Sequence, residues 1–199
     1  MKKFIINQLE ESAKIKIASS KVLTEDIQKA AEIIINCFKS GNKVLIFGNV
    51  GSAADAQHIA GEFINKFRID RDPLPAISLV TDTSVISSIS NDSSYSYVFE
   101  KQIKALGKKG DVVIAITTSD FSTEINGHSS NMYYGLKAAK ELGLITIGLV
   151  SIKSKNILNY LDISIKVPAT DTPRIQETHL AVEHIICDLV EQKLFGNEE

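Results

Sequence analysis

Five short apolar runs punctuate the chain: KVLIFG (43–48), PAISLV (75–80), DVVIAIT (111–117), ITIGLV (145–150) and DISIKV (162–167). They are rich in valine and isoleucine and mostly unbroken rather than alternating. That pattern belongs to strands buried on both faces. Between them the period changes. In SAADAQHIAGEFINKF (52–67), Ala56, Ile59, Ala60 and Phe63 recur at helical spacing, and 95–106, 131–142 and 174–194 read similarly. Alternating strands and helices predict an α/β protein, a three-layer α/β/α sandwich around a five-stranded parallel sheet. Two more helices, over 3–19 and 24–39, precede the first strand. Thr24 is the expected N-cap of the second, with Gln28 nearby, and Gly41 its C-terminal stop.

No repeat, low-complexity tract or Pro/Gly/Ser linker divides the chain, so one domain over 1–199 is expected, with residues 1–40 as a helical extension. That extension carries Ile5, Ile6, Leu9, Ala13, Ile15 and Ile17. A helix outside the core with so much apolar surface needs a partner, and a second subunit is the expected one.

The 199 residues are 44% hydrophobic with a net charge of −2, which suits one globular domain. The charges are spread along the chain, so no nucleic-acid partner is expected. No apolar run approaches the ~18 residues of a membrane span. Phe4–Ile6 is too short for the core of a signal peptide. A cytoplasmic protein with no membrane partner is the expectation. Cys37 and Cys187 sit in apolar helical patterns, far apart, and read as buried free thiols.

The candidate chemistry gathers where strands end. Residues 112–131, VVIAITTSDFSTEINGHSSN, run from a strand into a hydroxyl cluster and then a helix. Unpaired N–H groups at a helix start, aided by hydroxyls, hold anions; the alternative is capping and loop solvation. The first strand ends in Gly48-Asn49-Val50-Gly51-Ser52, a tight turn lacking the dinucleotide glycine pattern and the P-loop lysine. Both turns fall at carboxyl ends of parallel strands, where open α/β sheets bind ligands. His58 and Glu62 share one helix face, as a surface ion pair, an acid/base pair or part of a metal site. His184 lies among Val182, Ile185 and Ile186, where a core histidine is the plain reading.

Taken together, GNVGS (48–52), the His58/Glu62 helix, Ser90-Asn91-Asp92, GDVVIAITTS (110–119) and RIQETHLAVEH (174–184) resemble the phosphoheptose isomerases of the sugar-isomerase (SIS) fold. The resemblance covers nearly the whole chain. It implies conversion of sedoheptulose 7-phosphate to D-glycero-D-manno-heptose 7-phosphate through an enediol. It implies that Asn49, Val50, Gly51, Ser52, Glu62, Asn91, Asp92 and Gln176 line the sugar site. Thr117, Thr118 and Ser119, with Ser129 or Ser122, would hold the phosphate. His58, Glu62, Gln176 and His184 would ligate one zinc per subunit, and Glu62 and His184 would also transfer protons. A homotetramer with sites near subunit interfaces is implied as well.

Three departures from the family pattern stand out. Val50 replaces a glycine, and a β-branched residue resists positive φ. Asp120-Phe121 and about seven further residues interrupt the hydroxyl turn; Asp120 should point away from a phosphate, or the insertion should close over substrate. Counting forward from Ser119 selects Ser122 as the last phosphate ligand; counting back from Gly143 selects Ser129, which the helix dipole favours. Gln176 and His184 are a rise of about 12 Å apart on a regular helix, too far to share one ion unless the chain bends. A rival resemblance is to the non-catalytic SIS-fold protein that binds the bacterial replication initiator, through SAADAQH (52–58), INKF (64–67) and KQIKALG (101–107). That relative lacks the equivalents of Glu62 and His184, which are intact here. A phosphosugar-sensing domain would need the hydroxyl turn but neither of those two.

Overall fold

The computed structural model describes residues 1–196. Helices α1 (Lys2–Val22) and α2 (Thr24–Lys39) lead into β1 (Val44–Gly48) and α3 (Gly51–Ile64). Then come β2 (Ala76–Ser78), α4 (Thr83–Asp92), a 3-10 turn (Tyr95–Tyr97), α5 (Val98–Leu106) and β3 (Val112–Ile116). The chain ends with α6 (Ser130–Glu141), β4 (Ile145–Ser151), a second 3-10 turn (Asn156–Tyr160), β5 (Ile163–Val167) and α7 (Thr172–Phe195). The sheet runs β2-β1-β3-β4-β5, all parallel.

Side-chain alternation sorts each strand between two cores. Val44, Ile46, Val112, Ile114, Ile147 and Leu149 face the side covered by α2, α3 and α7. Leu45, Phe47, Val113, Ala115 and Val150 face α5 and α6, where Phe47 stacks on Phe99 with ring centroids 4.6 Å apart. Gly48 pairs with Ile116, and Ile116 with Leu149, so the carboxyl ends of β1, β3 and β4 lie level. The winding reverses between β1 and β3. A crevice opens at such a reversal, and it is here that the two turns noted in the sequence meet.

The expected sandwich and sheet are present. Three local details differ. Thr24 does not cap α2: its hydroxyl donates to the Ser20 carbonyl, because buried Leu23 keeps helical dihedrals and α1 runs almost directly into α2. Gly41 does end α2, at φ +70°, in a pairing of Asn42 N–H to Cys37 and Gly41 N–H to Phe38 that marks a Schellman motif. Helix α4 was not expected. TSVISSISND is rich in weak helix formers and buries only Ile89, but Asp82 caps it by accepting from the Val85 amide at 2.9 Å. Cys37 and Cys187 are buried free thiols, and burial pushes both above the usual thiol range, Cys37 to about 11. No helix among the described residues is long and apolar enough to cross a membrane.

At the amino ends of β1 and β3, fully buried Asp111 accepts from the Lys43 amide (3.0 Å), the Lys108 amide (2.9 Å) and Lys43 Nζ (2.6 Å). Replacing it by alanine strands two backbone donors. The expected cost of Asp111→Ala is about 3 kcal/mol, read as a lower urea midpoint at constant m.

Candidate active site

The turn after β1 has no spare room. A Cβ on Gly48 would lie 2.7 Å from Ser52 and 2.8 Å from the Ile116 carbonyl. One on Gly51 would lie 2.6 Å from the Gln176 amide. Between them Val50 takes φ 53°, ψ −115°, with its side chain 93% exposed. The chain therefore keeps a glycine-type turn and carries the strain of a β-branched residue in it. Ser52 is buried in the first turn of α3, its amide bonded to the Asn49 carbonyl.

The hydroxyl turn lies alongside. Asn49 and Asn131 exchange two amide hydrogen bonds, of 2.9 and 2.8 Å, which tie the β1 turn to the start of α6. A cavity of about 190 Å³ opens there, lined by Asn49, Ser96, Asn126, Ser129, Ser130 and Asn131 among others. Ser129 stands at the start of α6 with φ 51°, and Asn126 has φ 61°. His128 Nε2 lies 3.1 Å from Ser119 Oγ and 3.4 Å from Ser129 Oγ, so these two hydroxyls share one imidazole. Thr117 is buried, its hydroxyl bonded to the Ser119 backbone; the Thr118 carbonyl accepts from Ser151.

Ser122 is used otherwise, accepting from the Glu124 amide within its own loop. Asp120 turns away and caps the second 3-10 turn, accepting from the amides of Lys155, Asn156 and Ile157. With Phe121 buried against Tyr133 and Tyr160, the insertion is anchored at its start. Asn91 and Asp92 sit exposed at the end of α4, bonded to each other at 2.9 Å, and do not line the cavity.

Further along α3, three side chains converge. His58 Nε2 lies 2.8 Å from His184 Nε2 and 3.4 Å from Glu62 Oε1. Ligand atoms of the three are within 4.8 Å of one another. Two imidazoles and a carboxylate with one open side are the donor set of a catalytic zinc site, so the residues fit that ion. Phe67 stacks on the His184 ring at 5.6 Å. Gln176 is not brought to this group: α7 is unbroken from Thr172, and the Gln176 amide instead donates to Asp55 at 3.3 Å. His184 is thus half-buried in the site, whereas His179 is the buried core histidine, with Nε2 on the Val150 carbonyl at 3.0 Å. Burial lowers the His179 pKa to about 4.

Comparison with known proteins settles the family. The SIS domain family model matches residues 9–151. A phosphoheptose isomerase of Clostridium acetobutylicum is 49% identical, over 100% of this chain and 98% of its own. The chain belongs to the phosphoheptose isomerase family. That of Trichlorobacter lovleyi is 46% identical over 98% of this chain and 96% of its own. The solved phosphoheptose isomerase structures from Neisseria gonorrhoeae and Francisella tularensis superpose with TM-scores of 0.87 and 0.89. They are 36% and 33% identical, and each covers 96% of this chain, over 98% and 97% of their own chains respectively.

Several residues of this family member escaped the sequence reading. Ser96 and Asn131 reach the cavity, and His128 reaches Ser119 and Ser129 beside it, only through tertiary contacts. Asp55 is buried on the same helix as His58, and burial raises its pKa against the opposing pull of Gln176 and His58. Glu183, fully buried with both oxygens unpartnered, has its pKa raised to about 8 by burial and by Asp55. A carboxylate inside LAVEHII is visible in the sequence, but its burial depends on α3 packing over it.

Two outcomes follow from these strained groups. Val50→Gly removes no buried area and relieves the positive φ; it should raise stability by about 1 kcal/mol in urea unfolding. Between pH 4.5 and 8 the unfolded chain has released the Glu183 proton and the folded chain retains it. Stability from this residue therefore falls as pH rises through that window and levels off above it. Glu183→Gln should flatten that slope, gaining most in melting temperature at its alkaline end.

Proposed function

We propose that this chain is an aldose–ketose isomerase that converts sedoheptulose 7-phosphate to D-glycero-D-manno-heptose 7-phosphate. The observation that carries the reading is 49% identity over the full length to a phosphoheptose isomerase, in a chain whose His58, Glu62 and His184 converge. The initiator-binding alternative is not favoured, since it has no use for that convergence.

The reaction moves a proton from C1 to C2 of the sugar through an enediol. It needs a base at carbon, proton carriers at oxygen and a stabiliser of developing oxyanion charge. Glu62 is the base at carbon, taking the C1 proton on a carboxylate oxygen and returning it at C2. His184 Nε2 serves the sugar oxygens when it holds no ion. His58, Glu62 and His184 would hold zinc, and the bound ion would supply Lewis-acid stabilisation of negative charge on oxygen. A nitrogen that ligates the ion cannot also carry a proton, so the two roles of His184 exclude one another at Nε2.

The phosphate is assigned to the hydroxyl turn, with Thr117, Thr118, Ser119 and Ser129 around the start of α6. Unpaired amides and hydroxyls suffice there without lysine or arginine. Asn49, Gly51, Ser52 and Gln176 then border the sugar between the two ends. His58 lies about 10 Å of helix rise beyond Gly51. An open-chain sugar phosphate has its phosphate and its reacting carbons at opposite ends, which suits that separation. The exposed Phe4, Ile5, Ile6 and Leu9 of α1 are assigned to contact between copies of the chain.

The test is turnover of sedoheptulose 7-phosphate, with and without added zinc, followed by appearance of the aldoheptose phosphate. Glu62→Gln should lower kcat by about 100-fold or more while the protein stays folded. An unchanged rate would remove Glu62 as the base.

A further inference from the structure

Glu191 has no place in the chemistry just described, yet it is among the most heavily bonded side chains of the molecule. Its side chain is 1% exposed. Oε1 accepts from the Phe67 amide at 2.9 Å and Arg71 Nε at 3.0 Å. Oε2 accepts from the amides of Arg68 at 2.6 Å and Ile69 at 2.8 Å. The segment after α3 is therefore wrapped around one carboxylate supplied by α7.

Arg71 carries the connection back to the site. Its side chain, 2% exposed, spends Nε on Glu191 and turns its other two nitrogens onto α3. Nη2 donates to the Glu62 carbonyl at 2.9 Å and Nη1 to the Phe63 carbonyl at 2.8 Å. These carbonyls lie in the last turn of α3, where acceptors have no partner within the helix and a cation is favoured by the dipole. One guanidinium thus caps α3 at the residue whose side chain stands beside His58. The same segment places the Phe67 ring on His184. On α7, Glu191 follows His184 by about two turns, so both lie on one face of the helix.

We propose that Glu191 is a positioning residue, which through Arg71 and Phe67 fixes Glu62 and His184 relative to one another. The catalytic meaning of this rests on the isomerase reading above; the geometric claim does not. Arginine spreads its donors over three nitrogens in a planar fork that spans Glu191 and two α3 carbonyls, a reach that the single nitrogen of lysine lacks at position 71. Glutamine at 191 keeps the shape but turns an NH2 group toward amide donors. Its remaining oxygen cannot serve both pairs.

The experiment compares full-length wild type, Glu191→Gln and Arg71→Lys, each confirmed as folded by circular dichroism. Three quantities are read: the His184 ring resonances in NMR, which the Phe67 ring current displaces; zinc affinity by competition with a chromophoric chelator; and kcat and KM for sedoheptulose 7-phosphate. Both variants should shift the His184 resonances. They should also weaken zinc binding and lower kcat by about 10- to 100-fold, with a smaller change in KM. Glu191→Asp, which retains the charge, should recover part of each loss. A folded Glu191→Gln protein with wild-type His184 resonances, zinc affinity and kcat overturns the proposal and leaves only a stabilising role. If Glu191→Gln does not fold, Arg71→Lys decides by the same readings. If the wild type turns nothing over, the isomerase reading falls, and the His184 resonances still judge the positioning.

Discussion

The site depends on how closely α3 is allowed to approach α7. Residues of α3 supply Ser52, Asp55, His58 and Glu62; those of α7 supply Gln176, Glu183, His184 and Glu191. The two helices are pinned at both ends of their contact. At the start, the Gln176 amide donates to Asp55 and lies against Gly51, where a Cβ would have to displace it. At the far end, the buried Arg71–Glu191 pair holds the end of α3 against α7. A buried ion pair is seldom a net source of stability, because desolvation offsets attraction. This one is fully bonded, and the Glu191 pKa is lowered: burial opposes that, but three amides and Arg71 outweigh it. Its contribution is geometric.

Cost accumulates at the carboxyl end of the sheet. Val50, Asn126 and Ser129 are the non-glycine residues with positive φ among the described residues, and all three lie in the turns that follow β1 and β3. Strain in this form persists only where surrounding contacts over-determine it. Here the amide exchange between Asn49 and Asn131, and the crowding at Gly48, supply the determination. Glu183 is a second such cost, a carboxyl kept from solvent and from any partner next to Asp55.

Much of this was legible before any coordinates. The unbroken Val/Ile runs gave the parallel sheet, because burial on both faces leaves no alternation to misread. The paired turns were legible because Gly48, Gly51 and the hydroxyls have few other uses at strand ends. His58 and Glu62 could be placed on one face by spacing alone. The losses share a cause. Thr24 failed as a cap because a tertiary contact, burial of Leu23, kept the chain helical across the junction. Helix α4 was hidden by serines whose propensity is overridden by packing of Ile89. The plain core reading of His184 belonged to His179 instead, since only the roll of α7 against α3 decides which histidine faces inward. Arg71 and Glu191 are ordinary charges in the sequence; nothing local reveals that they meet.

The insertion after Ser119 fits the same economy. An acidic residue directly after the hydroxyl run Thr117–Ser119 would be a liability to a bound anion if its charge pointed inward. Asp120 removes that liability by spending its carboxylate on three amides of the neighbouring turn after β4. It thereby fixes the start of the inserted loop, while His128 closes its end onto Ser119 and Ser129. Tethered at both ends, the loop changes the length of the turn without displacing its hydroxyls from the start of α6. Ser129 can then take up the place that a shorter turn would give to a residue nearer Ser119. The residue that looked most hostile to an anion in the sequence is, in the folded chain, one of those that hold the hydroxyl turn in shape.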